Sequence, residues 1–181
     1  MTLRKLAARA ALAATLLLPA TGLAVPDEYQ VKAVFLFNFG QFVEWPGEAF
    51  DTPQAPFVIC VMGEDPFGRT LDDVIRGESV GTRSLVVRRL DDTSDVPDCN
   101  ILFVSRGDNG LLTKAVQAAR GHSVLTVTDI EGAEHQGAMI VLFNENNRVR
   151  MRINLAAARA SNLVISSKLL RPAEVIGREG G

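Results

Sequence analysis

Residues 57–76, FVICVMGEDPFGRTLDDVIR, decide the fold class. The first six are apolar and partly β-branched, which reads as a strand buried on both faces, ending at Gly63. From Pro66 onward the apolar residues Phe67, Leu71, Val74 and Ile75 recur at helical spacing. A buried strand that turns sharply into a helix is the opening unit of an α/β domain.

The alternation continues downstream. Residues 84–90 (SLVVRRL) and 101–105 (ILFVS) read as a second and third strand. A helix follows over 111–119, with Leu111, Leu112, Ala115 and Ala118 inward, and residues 123–128 (SVLTVT) make a fourth strand. The pattern then changes. Runs 139–143 and 149–153 flank Asn144-Glu145-Asn146-Asn147, whose asparagines tolerate left-handed backbone, so this pair is a hairpin. A helix-rich stretch at 155–161 and an apolar tail at 165–170 follow. The expected architecture is therefore α/β in three layers, a mainly parallel sheet flanked by helices, with a C-terminal antiparallel β-hairpin.

Upstream, Tyr29, Phe35, Phe37, Phe39, Phe42 and Trp45 crowd into one short segment. As a helix it places Val31, Phe35, Leu36, Phe39, Phe42 and Val43 on one face. Gln30, Gln41 and Glu44 lie opposite, and Phe37 falls among them. Either a neighbouring element covers Phe37, or it belongs to a partner surface. Asp27 with Gln30 resembles a capping box, and Pro46 sets the far limit.

Arg4, Lys5 and Arg9 precede an apolar stretch at 10–18, and Gly22-Leu23-Ala24 gives the small-x-small pattern of a signal-peptidase site. Residues 1–24 are expected to be a cleavable signal peptide and 25–176 a single domain, with a disordered tail at 177–181. Export to the periplasm follows. The chain carries a formal charge of −2, which loss of the three leader cations takes to about −5. That balance argues against nucleic acid as a partner.

Chemistry-bearing patterns are sparse. The loop at 63–68 sits where open α/β sheets bind ligands, but it lacks the glycine fingerprint and the Lys-Ser/Thr of a phosphate loop, and Glu64 and Asp65 would repel phosphate. Asp65-Pro66 reads more simply as a helix cap. Cys60 and Cys99 are the only cysteines. They would be neighbours if the strands run in the order 2-1-3, so a bridge or two separate buried thiols both fit. Arg148, Arg150 and Arg152 alternate and therefore share one face. With Arg88 and Arg89 they could form a cationic patch for an anionic ligand or acidic partner, or simply a solvated strand face. His122 and His135 lack zinc spacing, and no G-x-S-x-G elbow surrounds Ser105, Ser166 or Ser167. No catalytic, metal or cofactor residue is assigned.

NFGQFVEWP (38–46), FVICVMGEDPFG (57–68), CNILFVS (99–105), VLTVTD (124–129) and GAMIVLFNENNRVRMRINLAAARASNLVISSKLL (137–170) resemble, in order and spacing, the YfiR-like periplasmic proteins. The resemblance implies a non-catalytic repressor. Such proteins bind the periplasmic sensor domain of an inner-membrane diguanylate cyclase and hold it inactive, linking envelope or redox stress to cyclic di-GMP and biofilm. It further implies an OmpA-like outer-membrane lipoprotein as a sequestering partner, a homodimer, and a family disulfide at Cys60 and Cys99. A second cysteine pair of some relatives is missing, since residues 138–152 contain none. Other relatives act with membrane histidine kinases, and such a member would be a small-molecule sensor. On this view Arg148, Arg150 and Arg152 are the expected ligand-binding row. Phe37, Phe39 and Trp45 are the expected dimer or partner contacts.

Overall fold

The computed structural model describes residues 27–105 and 110–177. The expected signal peptide at 1–24 and, apart from Gly177, the expected tail at 177–181 fall outside the described residues. In chain order the elements are α1 (Glu28–Phe42), β1 (Val43–Glu44), β2 (Phe57–Met62), α2 (Arg69–Ile75), β3 (Ser79–Val80), β4 (Arg83–Leu90) and β5 (Ile101–Val104). Then come α3 (Leu111–Ala119), β6 (Leu125–Thr128), β7 (Ile140–Glu145), β8 (Arg148–Asn154), α4 (Leu155–Ala160), β9 (Val164–Ile165), α5 (Ser167–Leu170) and β10 (Glu174–Ile176).

Eight strands form one sheet in the order β10-β8-β7-β6-β5-β2-β4-β3. β4, β2, β5, β6 and β7 run parallel, whereas β8 is antiparallel to β7 and β3 to β4. Numbered by sequence, the parallel strands thus run 2-1-3-4-5, which contains the 2-1-3 order that makes the two cysteine-bearing segments neighbours. Their apolar content explains this placement, because every residue of β2, β5 and β6 is buried and needs cover on both faces.

Two cores supply that cover. Ala33, Leu36 and Phe39 of α1, Leu71 and Ile75 of α2, Ala158 of α4 and Leu169 of α5 pack on one face. Leu112, Ala115, Val116 and Ala119 of α3 pack on the other. Three layers result. Burying side chains such as Leu36 or Phe39 stabilises by roughly 1.5–3 kcal/mol each, so α1 is held as sheet cover by its apolar face.

Local details depart from the sequence reading. The inward face of α3 is turned by one position, with Val116 and Ala119 buried and Leu111 and Ala118 half-buried. α2 begins at Arg69, because Asp65 Oδ1 accepts from the Phe67 and Gly68 amides and holds the preceding residues in a turn. α1 carries the capping box of Asp27 and Gln30 but stops at Phe42, ahead of Pro46. Val43 is recruited into the two-stranded pairing of β1 with β9, a contact from the far end of the chain. In the hairpin only Asn146 and Asn147 form the turn, both at positive φ (50° and 60°), the pairing that a two-residue hairpin demands.

Cys60 and Cys99 are joined in a disulfide, with Cα atoms 5.9 Å apart. β2 lies directly beside β5, whose first residue follows Cys99 by two, and this adjacency brings the thiols together.

Candidate functional site

The carboxyl ends of β2, β5 and β6 open into a cavity of about 700 Å³. In a 2-1-3-4-5 sheet the crossover direction reverses between β2 and β5, and the crevice outside those strand ends is the place where such folds bind ligands. Its wall combines Glu64 and Asp65 after β2, Ser105 after β5, Asp129 after β6, Phe143 and Asn144 of β7, Arg152 of β8, and Tyr29 and Lys32 from α1. Ser105 Oγ donates to the Glu64 carbonyl and so ties two of these strand ends together.

Lys32 sits at the centre of the polar wall. Its side chain is 3% exposed, and its ammonium lies 2.7 Å from both Glu28 and Asp129, the latter carboxylate itself only 7% exposed. The Tyr29 hydroxyl donates to the same Asp129 oxygen at 3.0 Å, and the Lys32 ammonium stands 4.4 Å from the Tyr29 ring centre. Burial alone would lower the Lys32 pKa, but the hydrogen bonds to Asp129 and Glu28 more than offset it and leave the pKa raised. Burial, followed by the negative Asp129, raises that of Tyr29. Lys32 is therefore a fixed cation, unsuited to act as a base. Sequence reading missed this cluster. A signal was present, since Lys32 shares helical phase with the buried Leu36 and Phe39, and a cation in that phase requires a buried counter-charge.

The loop at 63–68 is fastened from outside the cavity. Arg89 donates to Asp65 Oδ2 (3.0 Å), to both oxygens of Asp72 (2.9 and 2.6 Å) and to the Gly68 carbonyl (2.7 Å). Arg88 points to the other face and pairs with Asp95 and Asp98. The expected union of Arg88 and Arg89 with the arginine row does not occur. Four strands separate β4 from β8, a span of roughly 24 Å at ordinary strand spacing.

Within the row, Arg148, Arg150 and Arg152 do share one face of β8, opposite the core formed by Val149, Met151 and Ile153. They do not act as three open cations. Arg150 pairs with Glu145 at 3.2 Å, and Arg152 bridges Glu134 (2.8 Å) and Glu174 (2.7 Å) while lying 5.0 Å from the Phe143 ring centre. Arg148 is exposed at the hairpin end. Of the three, only Arg152 lines the cavity.

The expected contact residues divide by burial. Phe39 is wholly enclosed in the core and offers no surface to a partner; helical phase puts it beside Leu36 rather than beside Phe37. Trp45 is half-buried against Phe57, ring centres 4.8 Å apart, with its indole N–H lacking an acceptor among the described residues. Phe37 is half-buried against the core edge. It lies on the outward stripe of α1 with Gln30, Val34, Asn38 and Gln41, all uncharged; Glu44, expected on this stripe, falls beyond the helix end in β1, where it is exposed. Val34, which sequence reading did not single out, is exposed on this stripe. Val164 of β9 is likewise exposed, paired with Glu44 of β1.

Among the described residues, no group of three or more His, Cys, Asp or Glu side chains is placed to hold a metal ion, and no helix is long and apolar enough to cross a membrane. No curated protein matches the chain. A family model described as YfiR/HmsC-like matches residues 29–174, and the chain belongs to that family.

Proposed function

From membership of the YfiR/HmsC-like family, we propose that this chain is an exported regulator that works by contact. In the periplasm it binds the sensor domain of an inner-membrane diguanylate cyclase and holds the enzyme inactive, so that cyclic di-GMP and biofilm stay low until envelope or redox stress intervenes. A homodimer is the working form, and an OmpA-like outer-membrane lipoprotein is the partner that draws it away. The observation that carries the reading is the family match, which spans all three layers of the fold. The charge-free outward stripe of α1 supports it, because depletion of charge marks the centre of protein interfaces.

Deleting the gene should raise cellular cyclic di-GMP and restoring it should lower the level again. Unchanged levels in a strain with its cyclases intact would refute the reading. Phe37→Ser and Val34→Glu should each fail to restore repression. Val34→Glu is the cleaner of the two, since Val34 is exposed and the fold does not depend on it.

A second reading, a small-molecule sensor acting with a membrane histidine kinase, is favoured by one observation, the cavity at the strand ends with Arg152 in its wall. Calorimetric titration with envelope metabolites separates the two.

A further inference from the structure

α1 belongs to both regions described above. Its outward stripe carries Val34 and Phe37, and its first turns carry Tyr29 and Lys32 into the wall of the strand-end cavity. The two ends of the helix are fastened differently. At the C-terminal end the chain itself does the work: the Ser166 amide donates to the Phe42 carbonyl at 2.9 Å, and β1 pairs with β9 directly behind. At the N-terminal end the ties to the sheet are side chains. Lys32 and Tyr29 both converge on Asp129, at 2.7 and 3.0 Å, and Asn144 reaches Glu28 at 3.2 Å.

Asp129 stands about 100 residues beyond α1 in sequence, at the end of β6. Apolar packing through Ala33, Leu36 and Phe39 fixes how far α1 lies from the sheet, but packing is tolerant of small slides along the sheet and rotations about the helix axis. Directional, charge-assisted hydrogen bonds are not. We propose that Asp129, acting through Lys32 and Tyr29, is a positioning residue for the partner-binding stripe of α1, a latch that holds Val34 and Phe37 in register. The proposal rests on the contact reading above.

The latch has two measurable consequences. In the isolated protein, Asp129→Asn keeps the shape of the side chain but removes the charge that Lys32 and Tyr29 share, and should speed amide hydrogen exchange in the first two turns of α1. Toward the purified periplasmic domain of the cyclase, affinity should fall in proportion to the fraction of molecules with α1 in place, about ten-fold if that fraction drops to about one tenth. Val116→Ala serves as control, since it weakens the core under α3 on the opposite layer and touches neither α1 nor Asp129.

The expected pattern is faster exchange in α1 and weaker partner binding for Asp129→Asn, with Lys32→Met behaving alike. Val116→Ala, brought to the same global stability by temperature or urea, should show neither change. Exchange in α1 unchanged by Asp129→Asn would overturn the latch, as would an affinity loss no larger than that of the Val116→Ala control. If wild-type protein fails to bind the cyclase domain, the contact reading fails instead, and the exchange measurement still decides whether the latch exists.

Discussion

Reducing the Cys60–Cys99 bond tests how much of the fold's stability resides in the unfolded chain. The bridge closes a loop with a sequence separation of 39. Loop-closure entropy for that length is about 4 kcal/mol at 25 °C, lost when the cross-link is opened. Comparing oxidised with reduced wild-type protein avoids the cavity that alanine would leave in the β2–β5 layer. Both cysteines are buried, Cys60 wholly so, and the surrounding strands pair through backbone hydrogen bonds that reduction leaves intact. Native packing should therefore change little. In urea, with a slope of about 2 kcal/mol per molar for a domain of this size, the midpoint should fall by about 2 M on reduction. The slope itself should steepen, since an uncrosslinked chain exposes more surface. Burial adds a kinetic expectation: a thiol reductant should cleave the bond only as fast as the sheet opens, so reduction should accelerate sharply in mild urea. Coincident oxidised and reduced midpoints, with equal slopes, would refute the entropic account.

Two further substitutions probe the strand-end region. Arg89→Ala removes the ties to Asp65, Asp72 and the Gly68 carbonyl. Because Arg89 is 38% exposed the stability loss should be only about 1–2 kcal/mol, read by thermal melting. The hydrogen bond from Arg89 holds the Asp72 carboxyl below its ordinary range. A depressed carboxylate contributes stability that is present above about pH 4 and lost as pH falls through the folded-state value, so wild type should lose stability in that acid window and Arg89→Ala should lose less. At the opposite end of the strands, buried Asn100 Oδ1 accepts the Val58 amide at 2.8 Å. Asn100→Ala orphans that buried amide and should cost about 1–3 kcal/mol in urea unfolding, whereas a loss within 0.5 kcal/mol would mean water replaces the side chain.

How much of this was legible beforehand depends on the range over which each feature is encoded. Buried strands such as FVICVM and ILFVS announce themselves, because a strand covered on both faces has no polar position to spare. The capping box at Asp27 and the presence of an asparagine turn within 144–147 were equally legible, being fixed by neighbours within four residues, although β7 runs on to Glu145 and leaves only Asn146 and Asn147 in the turn. The short strands β3, β9 and β10 were not, since two or three residues carry no period and exist only because a partner strand is there. The arginine row shows the same limit from another side. Alternation correctly put Arg148, Arg150 and Arg152 on one face, yet it could not reveal that Glu134 and Glu174 would occupy Arg152 or that β4 would lie far from β8.

The sequence by itself determined the α/β class with its mainly parallel sheet, the sheet-covering role of the aromatic helix and the YfiR-like relationship. These rest on hydrophobic period and local backbone preference, which act along the chain. Only the tertiary structure decided that Lys32 and Tyr29 meet Asp129, that Phe39 is enclosed while Val34 is open, and that α1 ends at Phe42 to pair with β9. Each of those outcomes is a contact between residues far apart in sequence, and a chain specifies such contacts through the summed packing of the whole sheet.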